Sequence, residues 1–138
     1  MDIAVNYLAV LGAAVASFVI GWLWYGPLFG KQWMKMMGIK EPSEKEKKEK
    51  MGEMMPSMVI GLIAAAVTAA VLGGFIKMVG AAGAFEGAAV GAMIWIGFLA
   101  TTTLNGVLWE KKPTSLYVLN NGHLLVNIIV VGAIMGAM

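Results

Sequence analysis

Four long apolar runs, near residues 4 to 26, 57 to 78, 86 to 109 and 115 to 137, alternate with short stretches that hold almost all of the charge. A helix needs ~20 apolar residues to cross ~30 Å of hydrocarbon, and each run is long enough. Backbone buried in lipid must satisfy its own hydrogen bonds, so helix is predicted even where Gly and Ala are frequent. A transmembrane β-barrel would need alternating strands of ~10 residues, which the pattern lacks. The expected fold is all-α: a polytopic membrane protein with four transmembrane helices, forming one domain over 1–138. The first run, Ile3 to Phe29, is too long for a signal-peptide core and has no basic residue before it, so it reads as a retained span.

The polar connections set the expected orientation. Nine of the ten lysines lie in the first and third connections, and only Lys77 lies in the second. The positive-inside rule then predicts cytoplasmic first and third connections, with both termini extracytoplasmic. Trp22, Trp24, Tyr25, Trp33, Trp109 and Tyr117 fall near the same interface, where amphipathic rings settle, and Trp24, Tyr25, Trp33 and Trp109 are its expected anchors. The charged connection at about 30–55 reads in two parts. Leu28 to Gly38 has the mix of an interfacial segment. After Pro42, Ser43 and Glu46 form a capping box for a short charged helix that runs to Pro56.

Composition removes several classes of function. With 59% apolar residues, 13% charged and a mean hydropathy of +0.79, 138 residues cannot hide their apolar surface inside a soluble globule. All ten basic residues are lysine, so the bidentate contacts that Arg makes to nucleic acid are missing and no nucleic-acid partner is expected. No Cys and a single His leave neither a metal site nor a catalytic triad, so no metal, no cofactor and no enzymatic activity are expected. The expected location is the cell membrane, with the lipid bilayer as the first partner.

Within lipid, helices associate by close backbone approach, which small residues four apart permit. Gly83, Gly87 and Gly91 make such a stripe in the third span and Gly132 and Gly136 in the fourth; the partner of each could lie within the chain or in a second copy. The third-span stripe continues through Trp95, Phe98, Thr102, Asn105 and Trp109 as one helical face. Gly21 to Trp24 also resembles Gly106 to Trp109, with Pro27 and Pro113 following, as a two-helix internal duplication would produce.

The polar residues inside the spans are the candidate functional groups. Asn120, His123 and Asn127 share a face of the fourth helix, with Asn121 turned away by about 100°. His123 falls about 12 Å from the cytoplasmic edge at ~1.5 Å per residue, and Ser17, Thr101 and Thr102 fall at similar depth. Asn105 is level with Asn120, and Glu110 stands at the mouth. An intramembrane ionisable group is a functional candidate, and histidine carries a proton near neutral pH. The predicted pathway is therefore a polar layer of Ser17, Thr102, Asn105, Glu110, Asn120, His123 and Asn127. The alternative reading of the same groups is interhelical hydrogen bonding.

The segments WYGPLFGKQW (Trp24 to Trp33), WIGF (Trp95 to Phe98), LWEKKP (Leu108 to Pro113) and NNGHLL (Asn120 to Leu125) resemble the family of small membrane proteins known as domain of unknown function 1761, over nearly the whole chain. An Asn-x-Gly element opening the last span is matched by Asn120 and Gly122. The resemblance implies four membrane helices and carries no activity. The expected function is a channel or transporter for a small ion or solute, which in so thin a bundle implies a homo-oligomer. The alternative is a non-transporting membrane module that assembles through its Gly stripes.

Overall fold

The computed structural model describes residues 6–40 and 43–138; Pro42 and the expected start of the first span at residue 4 lie outside them. Its main helices are α1 (Tyr7–Leu23), α2 (Gly30–Met37), α3 (Glu44–Met78), α4 (Gly83–Ile94) and α7 (Thr114–Ala137), with two short ones, α5 (Ala100–Thr103) and α6 (Asn105–Leu108). Among the described residues four segments are long and apolar enough to cross a membrane: Tyr7–Leu28, Glu44–Met78, Gly83–Leu108 and Thr114–Ala137.

Local chemistry starts and stops these helices. Asn6, a residue without obvious meaning in the sequence, caps α1: its Oδ1 accepts from the backbone N–H of Leu8 (3.0 Å) and Ala9 (3.3 Å). The Ser43 hydroxyl accepts from the N–H of Glu46 at 3.3 Å and starts α3. Gly38 closes α2 in a left-handed conformation (φ 70°), which lets the Ile39 N–H reach the Met34 carbonyl at 2.8 Å. Gly80 closes α3 in the same way (φ 75°), with Ala81 N–H on the Ile76 carbonyl at 3.0 Å. The charged segment and the second span are one 35-residue helix rather than two. Pro56 sits inside it where the surroundings are exposed, so the carbonyl it leaves without a donor can be hydrated. At ~1.5 Å per residue α3 is ~52 Å long, so its Glu- and Lys-rich start extends well beyond ~30 Å of hydrocarbon.

Helices α1 and α3 form one antiparallel pair, α4 and α7 form the other, and α7 also lies against α1 and α3. The core of Ala9, Ala13, Ala69, Leu72, Ile76, Ile128, Val131 and Met135 fills the half of the bundle remote from the lysine-rich connections. The outward faces of α1 and α3 expose Leu8, Leu11, Val15, Ile60, Ile63 and Val67, as lipid-facing helices do. The glycine stripes meet each other within the chain. A Cβ on Gly87 would run into the Gly132 carbonyl and lie 3.0 Å from the Gly136 Cα; one on Gly91 would lie 2.6 Å from the Ile128 carbonyl oxygen; one on Gly136 would collide with the Gly83 carbonyl. Gly132 in turn faces the Gly87 carbonyl. Side chains at these positions would hold α4 and α7 apart, and their lack allows backbone-to-backbone contact.

Two spans are irregular. The first ends in a π-helical turn, Trp24–Leu28, where Gly26 leaves helical geometry (φ −109°, ψ −106°) ahead of Pro27, and the chain bends into α2. The third is interrupted at mid-length by a second π-turn, Trp95–Leu99. The supposed duplication pairs Trp24 with Trp109, so the two π-turns do not fall at matching positions.

Candidate functional site

A π-turn takes in one residue more than an α-turn and so shifts the register of everything after it. The face that begins at Gly83 therefore does not run on through Phe98 and Thr102. Phe98 is 67% exposed, Ala100 is buried, and Thr103 rather than Thr102 turns toward α7. Thr103 meets Asn121, the residue expected to point away and the one buried polar side chain among the described residues (4% exposed). Asn121 Nδ2 donates to Thr103 Oγ1 (3.0 Å) and to the Tyr117 carbonyl (3.1 Å), while Trp95 Nε1 donates to the Asn121 carbonyl (3.0 Å).

Hydroxyl groups gather around the break. Thr101 donates to the Gly97 carbonyl (2.7 Å), Thr102 to that of Phe98, Thr103 to that of Leu99 (2.6 Å) and Tyr117 to that of Ala100 (2.6 Å). Four consecutive carbonyls of the disturbed stretch thus each receive a side-chain hydrogen bond. A broken helix survives in lipid only when its freed backbone groups are satisfied in this manner. The run of three threonines is explained by that need, as is the placement of Tyr117 on the facing helix.

The polar groups below the break line a vestibule of about 440 Å³ at the lysine-rich end of the bundle. Thr102, Asn105, Glu110 and Asn120 of the predicted layer are in its wall, joined by Thr103, Tyr117 and Asn121. Trp33 and Met37 of the amphipathic α2 lie across it. Glu110 and Lys112 form an exposed ion pair at its edge (3.0 Å). The turn that brings them together has Lys111 in a left-handed conformation (φ 55°), with the Lys112 N–H on the Gly106 carbonyl at 3.0 Å. The first connection is tied to the vestibule wall: Tyr25 OH donates to Asn120 Oδ1 at 2.7 Å, and its ring meets Trp33 edge-on with centroids 5.7 Å apart.

Ser17 and His123 lie elsewhere and Asn127 lines neither of the two cavities, so the predicted layer is not one continuous lining. Ser17 and His123 line a separate cleft of about 300 Å³ between α1 and α3. The His123 ring packs against those of Tyr25 (5.1 Å between centroids) and Trp24 (6.1 Å). Its Nε2 and the Oδ1 of Asn127, one turn further along α7, are buried and have no hydrogen-bond partner. Leaving such an atom unsatisfied costs about 1–3 kcal/mol. Of the expected interfacial anchors, Trp109 is 81% exposed, but Trp24 and Tyr25 are half-buried on α7. Trp24 donates from Nε1 to the Leu119 carbonyl at 3.1 Å and fits where Gly122 has no side chain; a Cβ there would lie 3.1 Å from the indole. Glu86 caps its own helix by accepting from the Ala82 N–H at 2.6 Å.

A family model described as "Protein of unknown function (DUF1761)" matches residues 8–136. The chain belongs to the DUF1761 family. No curated protein and no solved structure matches it. The DUF1761 match takes in all of the vestibule wall, both π-turns and the cleft, so these features lie within the family domain.

Sequence reasoning missed Thr103, Tyr117 and Asn121 because it carried a regular helical face through Trp95–Leu99. One signal was available: Thr101, Thr102 and Thr103 in succession, each able to bond back to a carbonyl four residues earlier, mark a place where a membrane helix departs from regularity.

Proposed function

We propose that this protein is a small oligomeric membrane protein that passes a small ion or polar solute, taken up at the vestibule on its cytoplasmic face. The vestibule carries the reading: Thr, Asn and Tyr groups surround a cavity that adjoins a span broken at mid-length. Interrupted helices beside a polar cavity are how membrane transporters commonly build a solute site, because irregular backbone is tolerated where it meets polar groups. The walls offer many neutral donors and acceptors, and the carboxylate of Glu110 at the rim is balanced by Lys112, which suits a small polar solute or an ion that keeps its hydration. Within one chain Trp95, Thr103 and Asn121 close the inner end. Passage therefore calls for walls shared with a second copy, or for a motion of α5 and α6.

The competing reading, a non-transporting module that assembles through its Gly stripes, is weakened because Gly87, Gly91, Gly132 and Gly136 are already engaged between α4 and α7, with the Gly83 carbonyl on Gly136. Proteoliposomes decide between the two. Flux of H⁺, Na⁺, K⁺, Cl⁻ and glycerol would be measured by dye or light-scattering readouts. The proposal expects one of them to exceed protein-free vesicles and to fall about tenfold in Asn105→Leu or Asn120→Leu, the loss of roughly one polar contact in a barrier. Folded, inserted protein that raises none of the five fluxes would reject it.

A further inference from the structure

The first connection is not uniformly basic. Ile3 to Lys40 contains no Asp or Glu, so Lys31, Lys35 and Lys40 stand uncompensated there, whereas Glu41 to Glu53 holds five Glu against four Lys. The cationic part of the connection is therefore α2 and its exit, not the charged start of α3. Within α2 both Lys31 and Lys35 are exposed, and neither has an ion pair among the described residues. Like charges four apart destabilise a helix, and a cation in the first turn opposes the helix dipole. Helix α2 carries both of these costs, and it has no acidic residue to offset them.

We propose that α2 is a docking surface for anionic phospholipid, with Lys31 and Lys35 holding a headgroup phosphate between them. Orientation supports this first. At ~100° per residue each lysine lies about 160° round the helix from Trp33. Trp33 and Met37 are held on the bundle, because both line the vestibule and the Trp33 ring meets that of Tyr25. The cationic face is thus turned away from the protein. Depth supports it next. Helix α2 follows directly on the π-turn that ends the first span, and Trp33, Met34 and Met36 are half-buried. An amphipathic helix so placed lies at the edge of the hydrocarbon, where lysine stems run along apolar surface and deliver their ammonium groups to the phosphates. Charge then selects the lipid. A face with two lysines and no acid attracts an anionic diester, whereas a choline head brings an ammonium of its own and gains little. A soluble phosphate is a poor occupant, since exposed lysines hold a solute weakly, while a headgroup in the leaflet is already beside the helix at high effective concentration. The surface is independent of the vestibule lumen, and binding there involves no chemical step.

The test uses the full chain in phosphatidylcholine vesicles. Because the chain has no cysteine, Gln32→Cys places a single bimane label beside the two lysines. Quenching is compared between nitroxide-labelled phosphatidylglycerol and nitroxide-labelled phosphatidylcholine at equal mole fraction. The relative binding constant for phosphatidylglycerol is expected to be about 25-fold, roughly fivefold for each lysine. Lys31→Gln or Lys35→Gln should lower it about fivefold, and the double variant should bring the two lipids close to parity. Lys47→Gln with Lys48→Gln, on the Glu-rich start of α3, should leave it unchanged. All four lysines are exposed, so none of these variants disturbs the fold. Equal quenching by the two lipids in the parent would overturn the proposal. So would an enrichment that survives the α2 double variant, or one that disappears in the α3 variant. Loss of the enrichment on adding millimolar glycerol 3-phosphate at constant ionic strength would assign the lysines to a soluble phosphate and would also overturn it. The vestibule reading stands in each case, since neither Lys31 nor Lys35 lines that cavity.

Discussion

Replacing Gly87 by Ala tests the account of how this bundle is held together. Helix propensity alone favours Ala over Gly by about 1 kcal/mol. The added Cβ, however, would overlap the Gly132 carbonyl and lie 3.0 Å from the Gly136 Cα, and both obstacles are backbone atoms that cannot rotate away. Helices α4 and α7 must then separate by roughly 1 Å, which forfeits a quarter to a half of each affected van der Waals contact. Overpacking of this kind costs about 1–3 kcal/mol, so after the propensity gain a net loss of about 1 kcal/mol is expected, and clearly more for Gly87→Val. Gly61→Ala is the matched control, because nothing lies within 4 Å of its Cβ position; it should be neutral or stabilising by up to ~1 kcal/mol. Thermal or SDS-induced unfolding in mild detergent, at several protein concentrations, measures both. A Gly87→Ala variant as stable as the parent would refute the close-approach argument. A loss that shrinks with rising protein concentration would place the glycine contact between copies rather than inside the chain.

Other variants probe the vestibule and its supports. Tyr25→Phe removes the 2.7 Å bond to Asn120 and should cost about 1 kcal/mol in the same unfolding assay. Tyr7→Phe, at an exposed ring, should cost nothing measurable. Asn121→Leu removes the donor shared by Thr103 Oγ1 and the Tyr117 carbonyl from a buried position and should cost about 1 kcal/mol, more than Asn105→Leu at its exposed position. Lys111→Gly should stabilise by up to about 1 kcal/mol, since only glycine adopts φ 55° without steric cost, whereas Lys111→Val should destabilise. The chain has no cysteine, so single-Cys variants report topology directly: Lys48→Cys should react with an impermeant maleimide only from the cytoplasmic side, and Lys77→Cys only from the other.

The candidate site was partly legible in the sequence. Asn105, Glu110, Asn120 and Thr102 do line one cavity, and their common location follows from depth along helices of known rise. Their separation from Ser17, His123 and Asn127 did not follow. It depends on which neighbour each face of α7 meets: Asn120 faces the first connection, Asn121 the broken span and His123 the gap between α1 and α3. Helical spacing gives the angle between such residues but not the identity of what lies opposite.

Sequence by itself determined the solvent of this protein, the number of its spans and the glycines on which two of them meet. Each of those follows from composition and period, because lipid demands long apolar helices and close helix contact demands residues without side chains. Tertiary structure alone decided the partners. The π-turn at Trp95–Leu99 adds a residue to one turn, rotates the rest of the third span and exchanges Thr102 for Thr103 on the face toward α7. Such a turn is stable only because hydroxyls on α5 and α7 reach its carbonyls. The threonine run of the span itself marks such a turn, but which residues it then brings to the facing helix is a property of the two helices together.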